Sequence, residues 1–254
     1  MENKISATII TLNEEKNIAR CLHSLRQVAD EIIVVDSGST DNTDRICAQY
    51  GTQFIYQSWL GYGAQKNYAA KLARYEFILS LDADEALSAE LISHISYIKQ
   101  KPMVDAYQVN RLTNYCGKWI HHCGWYPDKK IRLWRRNKAH WTTPQVHETI
   151  TLAPHTTVNT LHGNLLHYTY YTIAEHVSTA NKYTTLVAKE YAARGKKATF
   201  TKIFIRPVFS FFRDYILRLG VLDGYDGFVI CLVAAFATFL KYAKLKQLLQ
   251  QDKR

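Results

Sequence analysis

The run Phe77-Ile-Leu-Ser-Leu-Asp82-Ala-Asp84-Glu85 constrains this chain more than any other stretch. It reads as a buried strand that ends in two carboxylates spaced i, i+2. Alternate side chains of extended backbone point to the same face, so Asp82 and Asp84 are expected to converge on one hard cation at the strand's carboxyl end. A divalent ion held by one or two carboxylates keeps coordination sites for phosphate oxygens. Open parallel sheets bind their ligands outside the carboxyl ends of strands. Strand, Asp-x-Asp and metal together point to a nucleoside diphosphate. Alone, an Asp-x-Asp is also what a solvated turn looks like, and the weight comes from the sequence upstream.

There, Ile5-Ser-Ala-Thr-Ile-Ile-Thr11 has the pattern of a strand buried on both faces. Asn13 to Asn17 opens a helix whose apolar positions Ile18, Cys21, Leu22 and Leu25 recur at helical spacing. Glu31-Ile-Ile-Val-Val-Asp36 predicts a second strand. Ser37 to Asp41 predicts a turn, with Thr40 or Asp41 placed to cap a helix from Asn42 to Tyr50. A short strand over Gln53–Tyr56 and a helix over Gln65–Ala73 follow, and then the Phe77 strand. This alternation with short connections predicts an open α/β sheet, largely parallel and flanked by helices.

After Pro102 the pattern changes. Strands are expected over Ala106–Asn110 and Lys130–Trp134, around a longer loop that holds Tyr115, Trp119, His121, His122, Trp125 and Tyr126. Long loops in compact domains are often functional. Helical periodicity returns at Thr172 and is interrupted near Gly195, Pro207 and Gly220–Gly227. The expected organisation is a sheet domain over 1–165, with halves 1–100 and 101–165, and a helical extension over 166–254.

Charge separates these regions. Between Lys182 and Arg254 there are 14 Lys or Arg against 5 Asp or Glu, a net of +9, while the other 181 residues carry 18 against 17. The basic character therefore belongs to the extension, and it points to a polyanionic partner. No secretory signal pattern is present at the N-terminus. The five scattered cysteines are accordingly expected to be reduced thiols in the cytosol. Cys116, His121, His122 and Cys123 lack zinc-ligand spacing. Phe228–Leu240 is apolar over 13 residues, short of the roughly 20 that a spanning helix needs. With Lys241, Lys244 and Lys246 after it, and Phe204, Phe209, Phe211 and Phe212 among Arg206, Arg213 and Arg218, it reads as interfacial helices on an anionic membrane. A buried C-terminal helix is the competing reading.

Three features occur in order: Ile9-Ile-Thr-Leu-Asn-Glu14, Ile33-Val-Val-Asp-Ser-Gly-Ser-Thr-Asp-Asn-Thr43 and Leu81-Asp-Ala-Asp84. At this spacing the chain closely resembles the inverting glycosyltransferases of family 2, which have the GT-A fold, over roughly residues 5 to 150. The resemblance implies that Thr11, Leu12, Asn13, Glu14 and Asp36 hold the base and ribose of a nucleotide sugar. Many relatives carry a second Asp where this chain has Ser37. Lys66 and Asn67 match positions near the nucleotide, and Lys66 would offset phosphate charge. Asp82 matches the position near ribose and metal, and Asp84 the one that coordinates Mg²⁺ or Mn²⁺ on the diphosphate.

Inversion also needs a base opposite the leaving group. The resemblance places it at Glu148 in Val146-His-Glu148, with His147 assisting and Asp128 in reserve. The segment Trp125 to Arg136 and Trp141 resemble the bacterial lipopolysaccharide-core branch of the family, which makes Trp125, Tyr126, Lys129, Arg132 and Trp141 the candidate acceptor contacts. His176, Asn181, Lys182, Tyr183, Arg206-Pro207 and Asp223-Gly-Tyr-Asp-Gly227 extend the likeness to the inner-core β-1,4-glucosyltransferases. These move glucose from UDP-glucose onto the first heptose of lipopolysaccharide or lipooligosaccharide. The implied partners are a nucleotide-sugar donor, an anionic lipopolysaccharide-core acceptor and the inner-leaflet surface. The implied location is cytoplasmic, peripheral on the inner face of the inner membrane. Competing readings are a family 2 transferase with another donor or a lipid-phosphate acceptor, a nucleotidyltransferase, which would carry a Gly-rich basic loop where Asn13-Glu14-Glu15 stands, and a nucleic-acid binder, for which no motif is present.

Overall fold

The structure, a computed structural model, describes residues 3–143 and 148–251. The chain forms two compact units. One comprises Met1–Leu112 with Asp128–Tyr168, the other Thr113–Pro127 with Thr169–Arg254.

The strands in chain order are β1 (Ile5–Thr11), β2 (Glu31–Asp36), β3 (Gln53–Tyr56), β4 (Phe77–Asp82), β5 (Glu85–Leu87), β6 (Ala106–Tyr115), β7 (Lys118–Ile120), β8 (Asp128–Arg135), β9 (Ala139–Trp141), β10 (Ile150–Leu152) and β11 (Val158–Tyr170). The main sheet runs β3-β2-β1-β4-β8-β6-β11-β5, and β7 pairs with the end of β6. The first four strands are parallel. β8 joins antiparallel to both β4 and β6, and β11 lies antiparallel to β5. The expected α/β sheet is thus present as a parallel half continued by an antiparallel one. A hairpin of β9 and β10 stands apart from it.

Helices α1 (Ile18–Leu25), α2 (Thr43–Gln49), α3 (Tyr62–Leu72) and α4 (Ala89–Lys99) belong to this first unit. Ile18, Cys21, Leu22 and Leu25 of α1 are fully buried with Ile5, Ala7 and Ile9 of β1 and with Phe77, Leu79 and Leu81 of β4. Burying one such side chain is worth about 1.5–3 kcal/mol, so this cluster is what fixes the strand ends in space. Helix α2 begins at Thr43, where Asp41 Oδ1 accepts from the Thr43 backbone N–H at 3.0 Å and the Thr43 hydroxyl at 2.6 Å. Helix α3 starts three residues earlier than its sequence pattern indicates. Gly63 in its first turn explains this: a Cβ there would lie 1.8 Å from the Thr142 carbonyl oxygen, so only glycine lets the turn close against that backbone.

In the second unit, β6 runs on past its expected end at Asn110 into the Thr113–Pro127 segment. That segment, expected as a loop of the sheet domain, packs with the C-terminal helices instead. Tyr115, Ile120 and Cys123 are buried with Val229, Ile230, Cys231 and Val233. The helices are α5 (Ile173–Ala193), α6 (Arg206–Phe212) and α7 (Gly224–Gln251), with π-helical turns at Thr201–Ile205 and Arg213–Leu217 on either side of α6. Thr172 and Glu175 form a reciprocal capping box at the start of α5. Asp223 closes the segment, accepting from the His122 backbone N–H at 2.8 Å and lying 3.1 Å from His122 Nδ1.

His176 of α5 is stacked on Tyr170 and edge-on to Tyr115 and Trp125. Burial lowers its pKa from 6.5 to about 4. As pH falls, the unfolded chain therefore takes up the proton first. His176 contributes no penalty above 6.5 and a growing one as pH drops from 6.5 to 4. Between pH 7 and 5 this amounts to on the order of 2 kcal/mol of lost stability. Melting curves at the two pH values are expected to show the drop in wild type and a clearly smaller one in His176→Phe. Equal drops would remove His176 as the source.

Candidate functional site

The site lies in the first unit at the carboxyl ends of β1, β2 and β4. The backbone leaves β4 in a tight turn: the Asp82 N–H donates to Glu85 Oε2 at 3.0 Å, and β5 begins at once. Ala83 and Asp84 thus occupy a turn and not an extended continuation, and the strand alternation expected to bring Asp82 and Asp84 onto one face does not apply. The two carboxylates take different partners. Asp82 Oδ1 lies 2.8 Å from Lys66 Nζ and its Oδ2 lies 3.0 Å from Arg132 Nη2. Asp84 Oδ2 lies 3.2 Å from His167 Nε2. β11 sets that contact, because its register places His167 opposite Glu85 and the Tyr168 N–H donates to the Asp84 carbonyl.

Around Asp82 the charges form a chain. Lys66 Nζ bridges Asp82 and Glu148, at 2.8 and 2.9 Å. Arg132 Nη2 bridges Asp82 and the fully buried Glu85, at 3.0 and 2.6 Å. Arg111 lies 3.6 Å from Glu85 and 2.8 Å from Asp128, which also pairs with Lys130 at 3.0 Å. Burial alone would lower the Lys66 pKa, but the carboxylates of Asp82 and Glu148 outweigh both it and the Arg132 charge, and the ammonium is held charged. Burial works against the Asp82 carboxylate too. Lys66 and Arg132 overcome it and hold Asp82 well below the usual carboxylate range. Removing one partner of such a buried pair typically costs about 3–5 kcal/mol through the charge left uncompensated. Changes at Lys66 or Arg132 therefore report stability before chemistry.

The expected metal ligand Asp82 has both oxygens committed to cations. The pair that offers donors suited to a divalent ion is Asp84 with His167, whose side chains keep 26% and 14% of their exposure. Among the described residues no three His, Cys, Asp or Glu side chains form a ready-made cage. One carboxylate that leaves sites for phosphate oxygens is a common way to hold Mg²⁺ or Mn²⁺, and the imidazole beside it adds a nitrogen donor. Burial first, then the charges of Asp84, Asp41 and Asp82, push the Glu14 carboxyl up against the lowering bond from Asn17.

The structure redistributes several other expected roles. Asp36 is buried and spends its carboxylate on the turn after β2, accepting from the N–H groups of Gly38 and Ser39 at 2.8 Å each. Ser37 accepts from Gln65 Nε2 at 3.1 Å. Asn13 sits at φ 56°, its N–H donating to Ser39 Oγ and its Oδ1 accepting from the Thr40 N–H. Leu12 beside it is half exposed, and Thr11 is buried with its hydroxyl unpaired. Asn67 makes a two-way clasp with the Trp141 backbone, at 2.8 and 2.9 Å, so it holds β9 on α3 and is not turned to a nucleotide.

Of the candidate acceptor contacts, Trp141 is a buried core residue edge-on to Trp134, with the Lys66 ammonium 4.3 Å above its ring. Arg132 is buried in the ion-pair chain. Trp125 packs in the second unit against Tyr115, and Tyr126 lies edge-on to His121 there. Lys129 is exposed on β8. Glu148 is described and sits on Lys66; His147 lies outside the described residues. Glu85, Arg111 and His167 carry no expected role in the sequence. Glu85 alone left a trace, as the third acid of the Phe77–Glu85 run.

At the end of β4 the chain brings together a carboxylate steadied by a buried lysine and an Asp–His pair. Its sequence matches the model of "Glycosyl transferase family 2" over residues 6–153. The chain is 34% identical over 255 residues to an uncharacterized glycosyltransferase of Rickettsia typhi, covering 96% of this chain and 87% of that protein. It is 33% identical over 257 residues to the lipopolysaccharide core biosynthesis glycosyltransferase LpsC of Rhizobium meliloti, covering 96% and 92%. Among solved structures, S. aureus TarS 1–349 in complex with UDP-GlcNAc aligns over 98% of this chain and 92% of that one, at 15% identity and a TM-score of 0.46. With the family model spanning more than half of the chain and relatives matching nearly all of it, the protein belongs to glycosyl transferase family 2.

Proposed function

We propose that the protein moves glucose from UDP-glucose onto the first heptose of the lipopolysaccharide or lipooligosaccharide inner core, inverting the anomeric carbon. The observation that carries the chemistry is the Lys66 bridge, which joins Glu148 to the strand-end Asp82, two residues from the Asp84–His167 pair. The lipopolysaccharide-core acceptor is supported by LpsC, whose similarity spans nearly the full length of both chains. Glucose and the heptose position rest on the resemblance of Trp125–Arg136, Val146-His-Glu148 and Asp223–Gly227 to the inner-core glucosyltransferases.

In this mechanism Lys66 donates to Glu148 Oε1 and orients the carboxylate. Glu148 takes the proton of the acceptor hydroxyl as that oxygen attacks the anomeric carbon. The new carbon–oxygen bond forms as the bond to the nucleoside diphosphate breaks, and the leaving group departs with the electron pair. Asp84 and His167 would hold Mg²⁺ or Mn²⁺, which when bound offsets the charge on the departing diphosphate. Lys66 and Arg132 keep Asp82 ionised and fixed at the end of β4.

A hydrolysis and transfer screen over sugar nucleotides, with and without purified heptose-containing core acceptor, tests the reading. UDP-glucose consumed with stoichiometric glucosylation of the acceptor is expected. Transfer from another donor, or only to a lipid phosphate, would replace this substrate pair and leave the family 2 assignment standing.

A further inference from the structure

The second unit exposes apolar surface on a scale that a solvated protein rarely shows. Phe204, Val208, Phe209 and Phe212, on and before α6, are each more than half exposed, and Leu217 reaches 74%. The N-terminal half of α7 adds Tyr225 at 71%, with Leu232 and Phe236 at 50% and 45%. These three fall at spacings of seven and four, on one face of the helix, while Val229, Ile230 and Val233 between them are buried. Phe228 touches both Phe211 and Tyr215, joining the α7 face to the segment that holds α6.

Charge decides the occupant. From Lys196 to Leu222 the chain carries six Lys or Arg against one Asp, and that Asp214 is buried between Arg213 and Arg218. A second copy seated on this face would bring like charges together. An anionic lipid surface would meet both the aromatic residues and the cations. The helical stretch Gly220–Gln251 is long and apolar enough to cross a membrane by length and composition, more than the 13-residue run indicates. Yet α7 packs along α5, which carries Lys182, Lys189 and Glu190. Lys244 of α7 donates to Asn181 and to the hydroxyls of Thr184 and Thr185 of α5, at 2.7 to 2.9 Å. Crossing would drag that polar partner into hydrocarbon, at about 2.5–3.5 kcal/mol for each central charge. The same ties make Lys244 an internal clamp, so it is not one of the lipid-facing lysines.

We propose that residues 196–222 and the Tyr225–Phe236 face of α7 dock the enzyme on an anionic phospholipid surface, lying in the headgroup region without spanning the bilayer. This goes beyond the transfer reaction and holds whichever sugar and acceptor are used.

The test is flotation of the full chain with phosphatidylcholine vesicles, with and without phosphatidylglycerol, over a salt series. Wild type is expected to float only with the anionic vesicles and to dissociate as salt rises. Phe204→Ser with Phe209→Ser and Phe212→Ser should abolish flotation at an unchanged melting temperature. Lys196→Gln with Lys197→Gln should weaken binding about 25-fold, from roughly fivefold per basic residue near the surface. Both variants should keep wild-type turnover on a short soluble acceptor. A Phe209→Trp chain should be quenched by lipids brominated near the headgroup more than by those brominated near the chain ends. Full binding by the triple-serine variant, or equal binding to neutral vesicles, overturns the proposal. So does strongest quenching at the chain ends, which means spanning. A wild-type dimer that ignores vesicles and becomes monomeric in the triple-serine variant assigns the face to self-association instead.

Discussion

Replacing Asp84 with alanine is expected to remove sugar transfer, by more than about 10³-fold, while the fold survives. Asp84 lies in the turn after β4, about a quarter exposed, and pairs with His167. A partly solvated pair of this kind contributes little to stability, so the melting temperature should stay near that of wild type. EDTA should reproduce the loss in wild type, and added Mn²⁺ or Mg²⁺ should restore it there and not in the variant. Asp82→Ala makes the contrast, because it strips a counter-charge from buried Lys66 and Arg132. That variant should unfold at lower temperature as well as lose activity. Full turnover by Asp84→Ala, or by wild type in chelator, would remove metal from the mechanism.

Glu148→Gln is expected to reduce turnover by about 10²–10⁴-fold, the usual cost of losing a general base. The amide oxygen can still accept from Lys66, so position and packing are kept; proton affinity is lost together with one of the two counter-charges of Lys66, and Asp82 remains as the other. Calorimetry with the nucleotide should find donor binding little changed. Near-normal turnover would send the base role elsewhere. The reserve candidate Asp128 is badly placed to take it, since Arg111 and Lys130 both pair with its carboxylate.

Belonging to family 2 answers the choice among enzyme classes in favour of sugar transfer over nucleotidyl transfer. The features that led there were local. Buried apolar runs, a helical repeat at Ile18, Cys21, Leu22 and Leu25, and acids at strand ends are written in neighbouring residues, and periodicity reads them directly. Element ends were less legible. The start of α3 depends on Gly63 meeting Thr142, some eighty residues away.

Neighbouring residues alone carry the alternation that builds the parallel half of the sheet, the acids that close β4, and the basic, aromatic character of the C-terminal region. Each of these follows from composition and spacing within a few turns of chain. Which partner each acid meets is a property of the folded chain. Lys66 and Glu148 are 82 positions apart, Arg132 and Asp82 are 50, and His167 reaches Asp84 because β11 returns antiparallel to β5. A carboxylate's role depends on the cations around it, and those arrive from strands and helices that no local pattern connects. The same reason seats Trp141 and Arg132, expected as acceptor contacts, and Lys244, expected at a membrane surface, against other parts of the chain. Their residue types suit a ligand, and the fold had already given each of them a partner inside the protein.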